Sequence, residues 1–314
     1  MTDQKPGGAP PAADAQRALA ARYDAAVESF VDKVRGDPNV IAVIVYGSVA
    51  QGTVWEKSDI DMKVIVRDQK LDNTHYGLYE DDLLLNVDVE PRSVLKRYME
   101  RAVAGGIDHS FGATSRIVYT TDESLYDYLE DLKKIGQRDL DRALFWMAGG
   151  VAANMEKIRK WIEVKRDLDY ARLYVMYAAN CIAQMDVCSR YTVPTREAIL
   201  QSAAANPPLM DKFFYQPLAA PMSAEALYAL LDEMAQYLAG HRDALIRAAE
   251  ACFGDGEMKT GTQISRFYQT SIHAIDYILD YLCDLGYLTR VSQTIRLTPK
   301  SRPSVEEMAY IKTT

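Results

Sequence analysis

Residues Val43 to Val66 read VIVYGSVAQGTVWEKSDIDMKVIV, two apolar runs separated by a polar segment. The first run ends at Gly47-Ser48, and the second starts around Asp59-Ile60-Asp61. Short runs rich in Val and Ile that are bounded by Gly and Ser indicate β-strands. The stretch therefore predicts two strands joined by a polar loop, with Gly47-Ser48 at one end of the loop and two aspartates at the other.

The residues at the two ends of this loop suit phosphate and metal chemistry. Gly47 lets the backbone turn sharply and approach a ligand, and the Ser48 hydroxyl with nearby backbone N–H groups can bind a phosphate. Side chains on a strand alternate between faces, so Asp59 and Asp61 are predicted on one side and Ile60 on the other, toward a core. Two carboxylates on one edge repel each other, and a divalent cation such as Mg²⁺ relieves this repulsion by binding both.

A third carboxylate follows in the run LLLNVDVEP, residues 83–91. Asp88 lies between two valines of this strand-like run, which ends at Pro91. Three acids on adjacent strands can hold two metal ions, which activate an attacking oxygen and neutralise a departing pyrophosphate. Asp88 is therefore the third candidate site residue.

Gly47-Ser48, ten intervening residues, Asp59-x-Asp61 and the isolated Asp88 in a valine-rich strand resemble the polymerase-β-like nucleotidyltransferase superfamily. The resemblance is strongest to its small bacterial members that adenylylate aminoglycosides or lincosamides. It implies that Gly47 and Ser48 contact the nucleotide triphosphate, and that Asp59, Asp61 and Asp88 hold Mg²⁺, as two ions, and assist the acceptor hydroxyl. The implied substrates are ATP or another NTP and a hydroxyl-bearing acceptor.

The resemblance implies an enzyme that transfers a nucleoside monophosphate, expected to be AMP, to an acceptor such as an aminoglycoside-like small molecule and releases pyrophosphate. Two alternatives stay open. One is a nucleotide-sensing or antitoxin-like regulatory protein that uses the same fold, and the other is a nucleotidyltransferase that acts on protein or tRNA.

The periodicity of the sequence divides the chain into four parts. Residues 1–16 are rich in Pro, Gly and Ala and are expected to form a disordered leader. Residues 17–136 alternate helical and strand patterns, which predicts one compact α/β domain. The resemblance implies that this is an α/β (α+β) nucleotidyltransferase domain with a mixed sheet. Residues 137–253 show helical spacing throughout and predict an all-α bundle, and residues 254–314 predict a small winged-helix-like module.

Inside the first domain the pattern predicts a helix from Arg17 to Val34, a polar loop over residues 67–82 and a helix from Pro91 to Gly105-Gly106. A short strand is expected at residues 116–119, before a helix that ends at Gly136.

The bundle is predicted to contain helices over residues 140–164, 169–191, 194–205 and 223–253. Tyr170, Tyr174 and Tyr177 follow helical spacing, so they fit a bundle core better than an aromatic surface for a sugar or cationic ring. Glu156 and Glu163 are candidates for an acceptor-side base, although no pattern singles either out.

The last sixty residues suggest a helix over residues 271–285 and two short strands, 287–291 and 294–298, around a tight turn. This order resembles a winged helix-turn-helix, a fold used on DNA. An acidic row on the helix would repel phosphates and argues against DNA binding, although a basic group after the helix could attract them. We therefore expect this module to be an interaction or dimerisation element. The row is Asp276, Asp280 and Asp284, and the basic residues are Arg290, Arg296, Lys300 and Arg302.

Composition and the absence of several motifs narrow the classes of protein that fit the sequence. The net charge of −8 disfavours nucleic acid as a partner and mildly favours a cationic acceptor, although local patches can override it. No apolar run is long enough to span a membrane and no signal peptide is evident, so a cytoplasmic protein with no membrane partner is expected. The four cysteines form no Cys-x-x-Cys pair, and motifs of P-loop kinases, dehydrogenases, zincins and α/β-hydrolases are absent.

Overall fold

The computed structural model describes residues 13–101, 106–300, 302 and 304–313. They divide into two compact units. The first contains the described residues up to 101 together with Ile107–Lys134, and the second contains Gly106 and the described residues from Ile135 onward. Up to residue 12 the predicted leader lies outside the described residues, whereas residues 13–16 already belong to the first helix. None of the described helices is long and apolar enough to cross a bilayer.

The first unit is a five-stranded sheet with helices on its faces. The strand order is β3-β4-β2-β1-β5; β2 and β4 are parallel and the other pairs are antiparallel, which confirms the predicted mixed sheet. Its elements are α1 (Ala13–Val34), β1 (Val40–Tyr46), α2 (Gly47–Gln51), β2 (Ile60–Val66), β3 (His75–Glu80), β4 (Leu83–Pro91), α3 (Arg92–Arg101), α4 (Ile107–Thr114), β5 (Arg116–Thr120) and α5 (Ser124–Asp131).

The two faces of the sheet bury different sets of side chains because residues alternate along each strand. Ile60 and Met62 of β2 pack with Tyr23 of α1 in one core, and Ile65 packs with Leu95 of α3 in the other. The residues at odd positions of β2, Asp61 among them, therefore share the face that α3 and α5 cover. This alternation agrees with the predicted separation of the aspartates from the isoleucine between them.

The prediction of a continuous loop over residues 67–82 is wrong, because β3 occupies His75–Glu80. Every residue of β3 except Glu80 is exposed. An edge strand that is solvated on both sides shows no alternation of apolar and polar residues, so periodicity could not reveal it. The predicted end of α3 at Gly105-Gly106 falls partly on residues outside the described ones.

The second unit is largely helical, as predicted. Its helices and strands are α6 (Gln137–Lys160), α7 (Leu168–Cys188), α8 (Ala198–Ala205), α9 (Pro207–Met210), α10 (Gln216–Ala219), α11 (Ala224–Gly240), α12 (Arg242–Phe253), β6 (Lys259–Thr260), α13 (Gly261–Tyr268), α14 (Asp276–Asp284), β7 (Leu288–Ile295) and β8 (Val305–Lys312). Two π-helical turns, Trp161–Lys165 and Asp211–Tyr215, and a 3₁₀ turn, Ile272–Ala274, complete it.

The single helix predicted over residues 223–253 is in fact two helices, α11 and α12, separated at His241. The backbone of His241 leaves the helical region (φ −103°, ψ 6°), and its ring Nδ1 lies 2.9 Å from the carbonyl oxygen of Tyr237. A side chain that bonds one of the last helical carbonyls stops the helix, and Gly240 just before it has a low helix propensity.

The tight hairpin predicted over residues 287–298 is also wrong. One strand, β7, runs through the expected turn and pairs antiparallel with β8, and β6 lies on the other side of β8. Residues Ser292-Gln293-Thr294 contain no Gly or Asn to favour a two-residue turn, and they continue as an exposed strand. The predicted helix over residues 271–285 is a 3₁₀ turn followed by α14, and α13 was not predicted. The winged-helix interpretation of this segment stays a prediction.

Candidate nucleotide and metal site

Gly47 is at the point where β1 ends and the short helix α2 begins. Its φ is +72°, a conformation that side chains with a Cβ rarely adopt. A Cβ on Gly47 would lie 2.9 Å from Oδ2 of Asp61, which is closer than real Cβ contacts. The backbone conformation therefore favours glycine, a Cβ at this position would displace the Asp61 carboxylate, and the start of α2 lies beside that carboxylate.

Asp59 and Asp61 are brought together, as the sequence predicts. Asp59 directly precedes β2, and Asp61 is the second residue of that strand. The amide Nδ2 of Asn86 lies 2.7 Å from Oδ2 of Asp59 and 3.2 Å from Oδ1 of Asp61. One amide thus donates to both carboxylates. All three side chains are half-buried, so the charges are only partly solvated.

Asp88 belongs to a different set of contacts. In the parallel pairing of β2 with β4, Asp61 is opposite Asn86, whereas Asp88 is opposite Lys63. Oδ1 of Asp88 is 2.5 Å from Nδ1 of His75, and Oδ2 accepts a hydrogen bond of 3.2 Å from the hydroxyl of Tyr46. Lys63 Nζ is 3.8 Å from the same Oδ2. Two residues of an extended strand span about 7 Å, so Asp88 stands further along the sheet than the Asp59–Asp61 pair.

Tyr46 donates a hydrogen bond to Asp88 and is opposite Asp61 in the pairing of β1 with β2. Burial raises the pKa of Tyr46 above its ordinary range, and the negative charges of Asp88 and Asp61 raise it further. The phenol therefore stays protonated and donates to Asp88. Its ring packs against Phe111 at a centroid distance of 5.6 Å, which fixes the position of the hydroxyl.

Lys63 carries positive charge into this acidic neighbourhood. It forms an ion pair with Glu90 as well as the longer contact with Asp88, and its ammonium lies 5.1 Å from the ring centroid of Tyr98. Oε2 of Glu90 is buried and has no hydrogen-bond partner within the part of the chain that the structure describes. Lys63 thus pairs with Glu90 and Asp88, whereas Asp59 and Asp61 are held together by the amide of Asn86.

The donor set of Asp59 and Asp61 fits a hard divalent cation. Carboxylate oxygens are the ligands that Mg²⁺ prefers, and the two carboxylates are close enough to share one amide. Over the described residues no group of three or more His, Cys, Asp and Glu side chains stands close enough to hold a metal ion. The metal assignment of all three aspartates stays a prediction.

Sequence reasoning missed four residues of this region: Tyr46, Lys63, His75 and Asn86. A signal existed for Lys63 and Asn86, because the two-residue period puts them on the same face as Asp61 and Asp88. No such signal existed for His75, which lies on the edge strand that was predicted as a loop.

Comparison with known proteins identifies the class of the first unit. Residues 28–124 match the family model described as Polymerase beta, Nucleotidyltransferase. A nucleotidyltransferase-like protein from Exiguobacterium sibiricum 255-15 has a similar crystal structure, with a TM-score of 0.65 and 12% identity over 93% of this chain and 100% of that one. The first unit is therefore a polymerase-β-like nucleotidyltransferase domain, and the likeness of the solved structure extends the similarity of fold over most of the chain.

A second solved structure is more distant. Spectinomycin adenyltransferase AAD(9) from Enterococcus faecialis, crystallised with ATP and spectinomycin, is 13% identical over 69% of this chain and 98% of its own, with a TM-score of 0.29. That score is too low to support an inference about this protein. No curated protein sequence matches the chain.

Proposed function

We propose that this protein transfers a nucleoside monophosphate, with AMP as the expected group, from an NTP to a hydroxyl of an acceptor. The observation that carries the proposal is the Asp59–Asp61 pair, held by one amide beside the glycine turn of a nucleotidyltransferase domain. In the reaction, the acceptor oxygen forms a bond to the α-phosphorus and the bond from that phosphorus to the bridging oxygen breaks. Pyrophosphate leaves with the bonding electrons, and the hydroxyl proton passes to a base.

Each residue of the site has a proposed role. Gly47 and Ser48 contact the triphosphate, and Asp59 and Asp61 hold Mg²⁺. When bound, the cation offsets the negative charge of the phosphates and of the leaving pyrophosphate. Asp88 takes the proton of the acceptor hydroxyl, and its contacts with Tyr46 and His75 keep its carboxylate in one orientation.

The acceptor is proposed from the net charge of the chain. A chain with a net charge of −8 favours a cationic molecule over a polyanion, which fits an aminoglycoside-like compound. In the second unit Tyr170 and Tyr177 are 44% and 52% exposed, and Tyr170 stacks on Trp161 at a centroid distance of 4.0 Å. Tyr170 and Tyr177 therefore do not belong to the bundle core that their spacing predicted. Glu156 forms an ion pair with Arg159, and Glu163 accepts a hydrogen bond from the Tyr228 hydroxyl; neither contact favours one of them as the base.

The test is pyrophosphate release from each of the four NTPs with Mg²⁺, against aminoglycosides, lincosamides, bulk tRNA and no acceptor. Release that depends on one class of acceptor would establish the reaction and its substrate. Asp61→Asn should lower the rate about 100-fold or more, because losing a metal ligand removes several kcal/mol of stabilisation from the transition state. Asp32→Asn, an exposed position of α1 on the other face of the sheet, is the matched control. Full activity of Asp61→Asn would remove these carboxylates from the mechanism.

A regulatory protein that senses nucleotides is the second candidate, and one observation favours it. The segment β6-α13-α14-β7-β8, with strand order β6-β8-β7, places two helices before a two-stranded ribbon, as a winged helix does. Such a protein would bind Mg²⁺-NTP without releasing pyrophosphate. Turnover therefore separates the two candidates, and an acceptor of protein or tRNA would appear as release that depends on that acceptor.

A further inference from the structure

The side chain directly opposite Asp61 on the neighbouring strand is an amide. The parallel register pairs Asp61 with Asn86, and the next residue of β4 on the same face, Asp88, pairs with Lys63. A third carboxylate that shares a cation with Asp59 and Asp61 would be closest to them at position 86. This chain has a neutral group there, and its acid stands two residues further on.

The amide engages one oxygen of each carboxylate. Nδ2 of Asn86 carries two hydrogens, and it lies within hydrogen-bond distance of Oδ2 of Asp59 and of Oδ1 of Asp61. The donation draws the two acids together and lowers their mutual repulsion without adding a formal charge. The two carboxylates are thereby held side by side, as a cation that they share requires.

Asp88 has both oxygens engaged elsewhere. His75 contacts Oδ1, whereas the Tyr46 hydroxyl and the Lys63 ammonium contact Oδ2. A cation that bound Asp88 would have to displace these partners, one of them a positive charge. The contacts hold Asp88 apart from the pair rather than preparing it to share a metal.

We propose that Asn86 is a positioning residue that holds Asp59 and Asp61 as a two-carboxylate site for a single divalent cation, and that Asp88 is not one of its ligands. The inference rests on the metal-binding part of the proposed function and refines the expected number of ions from two to one. It makes position 86, rather than position 88, the position that sets how many cations the protein binds.

The test is the stoichiometry and affinity of Mn²⁺ for the full-length protein without nucleotide, measured by titration calorimetry and by electron paramagnetic resonance of free Mn²⁺. The wild type should bind one ion, and Asp88→Asn should still bind one. Asn86→Ala should bind about 10-fold more weakly, because it loses the group that orients the ligands. Asn86→Asp, which keeps the shape of the side chain, should bind a second ion or bind the first at least 10-fold more tightly.

Controls keep a failure of the inference distinct from a failure of the proposed function. Lys70→Gln makes the same change of net charge at an exposed position of the same unit and should leave Mn²⁺ binding unchanged. If Asp59→Asn binds Mn²⁺ as the wild type does, the metal site itself is refuted, and the proposed function loses its metal. If the wild type binds two ions and Asp88→Asn binds one, or if Asn86→Ala binds like the wild type, the metal site stands and the role of Asn86 is overturned. Circular dichroism of each variant establishes that it is folded.

Discussion

Gly47 and Asp61 are so close that a methyl group on the glycine would lie 2.9 Å from the carboxylate oxygen Oδ2. Gly47→Ala should therefore have two effects, backbone strain at φ +72° and displacement of Asp61. We expect a loss of about 1–3 kcal/mol in the free energy of unfolding from the strain, and weaker Mn²⁺ binding from the displacement. Urea unfolding and Mn²⁺ titration measure the two effects.

Gly52 provides the matched control for this substitution. Its φ is +69°, but a Cβ there would have no atom within 4 Å. Gly52→Ala should lose a similar amount of stability and should bind Mn²⁺ as the wild type does. Equal Mn²⁺ affinities in the two alanine variants would contradict the contact between Gly47 and Asp61.

Lys63 compensates two carboxylates inside the first unit. Its side chain is 16% exposed, that of Glu90 is 19% exposed, and both Glu90 and Asp88 lie within 4 Å of its ammonium. Lys63→Met keeps the length of the side chain but leaves these acids without their cation. We expect a loss of about 3 kcal/mol in the free energy of unfolding, measured with urea, because a buried charge that loses its partner is strongly destabilising.

The surface pair Lys133–Glu130 is the control for Lys63. Both of its side chains are more than half exposed, so Lys133→Met should change the free energy of unfolding by about 0.5 kcal/mol or less. Similar losses in the two variants would show that Lys63 acts as an ordinary surface charge.

The parts of the site that depend on local pattern could be predicted from the sequence. An apolar run that ends at Gly47, and two aspartates separated by one buried isoleucine, define a turn and a strand edge without knowledge of the rest of the chain. The α/β alternation of the first unit and the helical second unit also follow from periodicity, whereas the mixed sheet was implied by the resemblance that these residues carry. Local spacing is sufficient here because each of these features lies within one element or one loop.

The relationship between strands could not be predicted in the same way. Asn86 and Asp88 share a face of β4, but only the register of β4 against β2 decides which of them is opposite Asp61. Register depends on contacts between segments that are far apart in sequence, and a shift of two residues keeps the same face. The sequence therefore suggested Asp88 by its charge, and the structure brings Asn86 next to the pair. His75 was not predicted as a site residue because an exposed edge strand shows no periodic pattern of apolar residues.

Glu80 should make the stability of the first unit dependent on pH. Its buried carboxylate accepts hydrogen bonds from Lys33 and Ser29, and these bonds, that of Lys33 most, hold its pKa below the ordinary value. A carboxyl group whose pKa is lower in the folded state stabilises the protein above its unfolded pKa, about 4.3 for Glu. That contribution is lost as the pH falls through the lower, folded pKa.

The variant Glu80→Gln lacks this titration. Its free energy of unfolding should fall less than that of the wild type between about pH 7 and about pH 3, measured by urea unfolding at each pH. Glu28→Gln, an exposed position on the same helix as Lys33, should retain the slope of the wild type. A wild-type slope in Glu80→Gln would show that Glu80 does not contribute to it.

The segment from β6 to β8 should not bind duplex DNA, although its order of elements resembles a winged helix. Helix α14 contacts α6, and its Asp280 accepts hydrogen bonds from Arg290 and from the Tyr310 hydroxyl. At the start of α13 the N–H of Thr262 donates to Oε1 of Glu307 at 2.6 Å, so a carboxylate of the protein already occupies a position suited to a phosphate.

These charges predict the outcome of a binding experiment. Fluorescence anisotropy of a labelled duplex should show no binding at about 200 mM salt, where phosphate contacts already contribute less than at low salt. The variant Asp276→Asn/Asp280→Asn/Asp284→Asn should bind at about 50 mM salt, because it removes the acidic row, and should lose that binding as salt increases. Binding by the wild type whose affinity falls steeply with salt would contradict this prediction. Such salt-sensitive DNA binding, together with an absence of pyrophosphate release, would favour the regulatory protein over the enzyme.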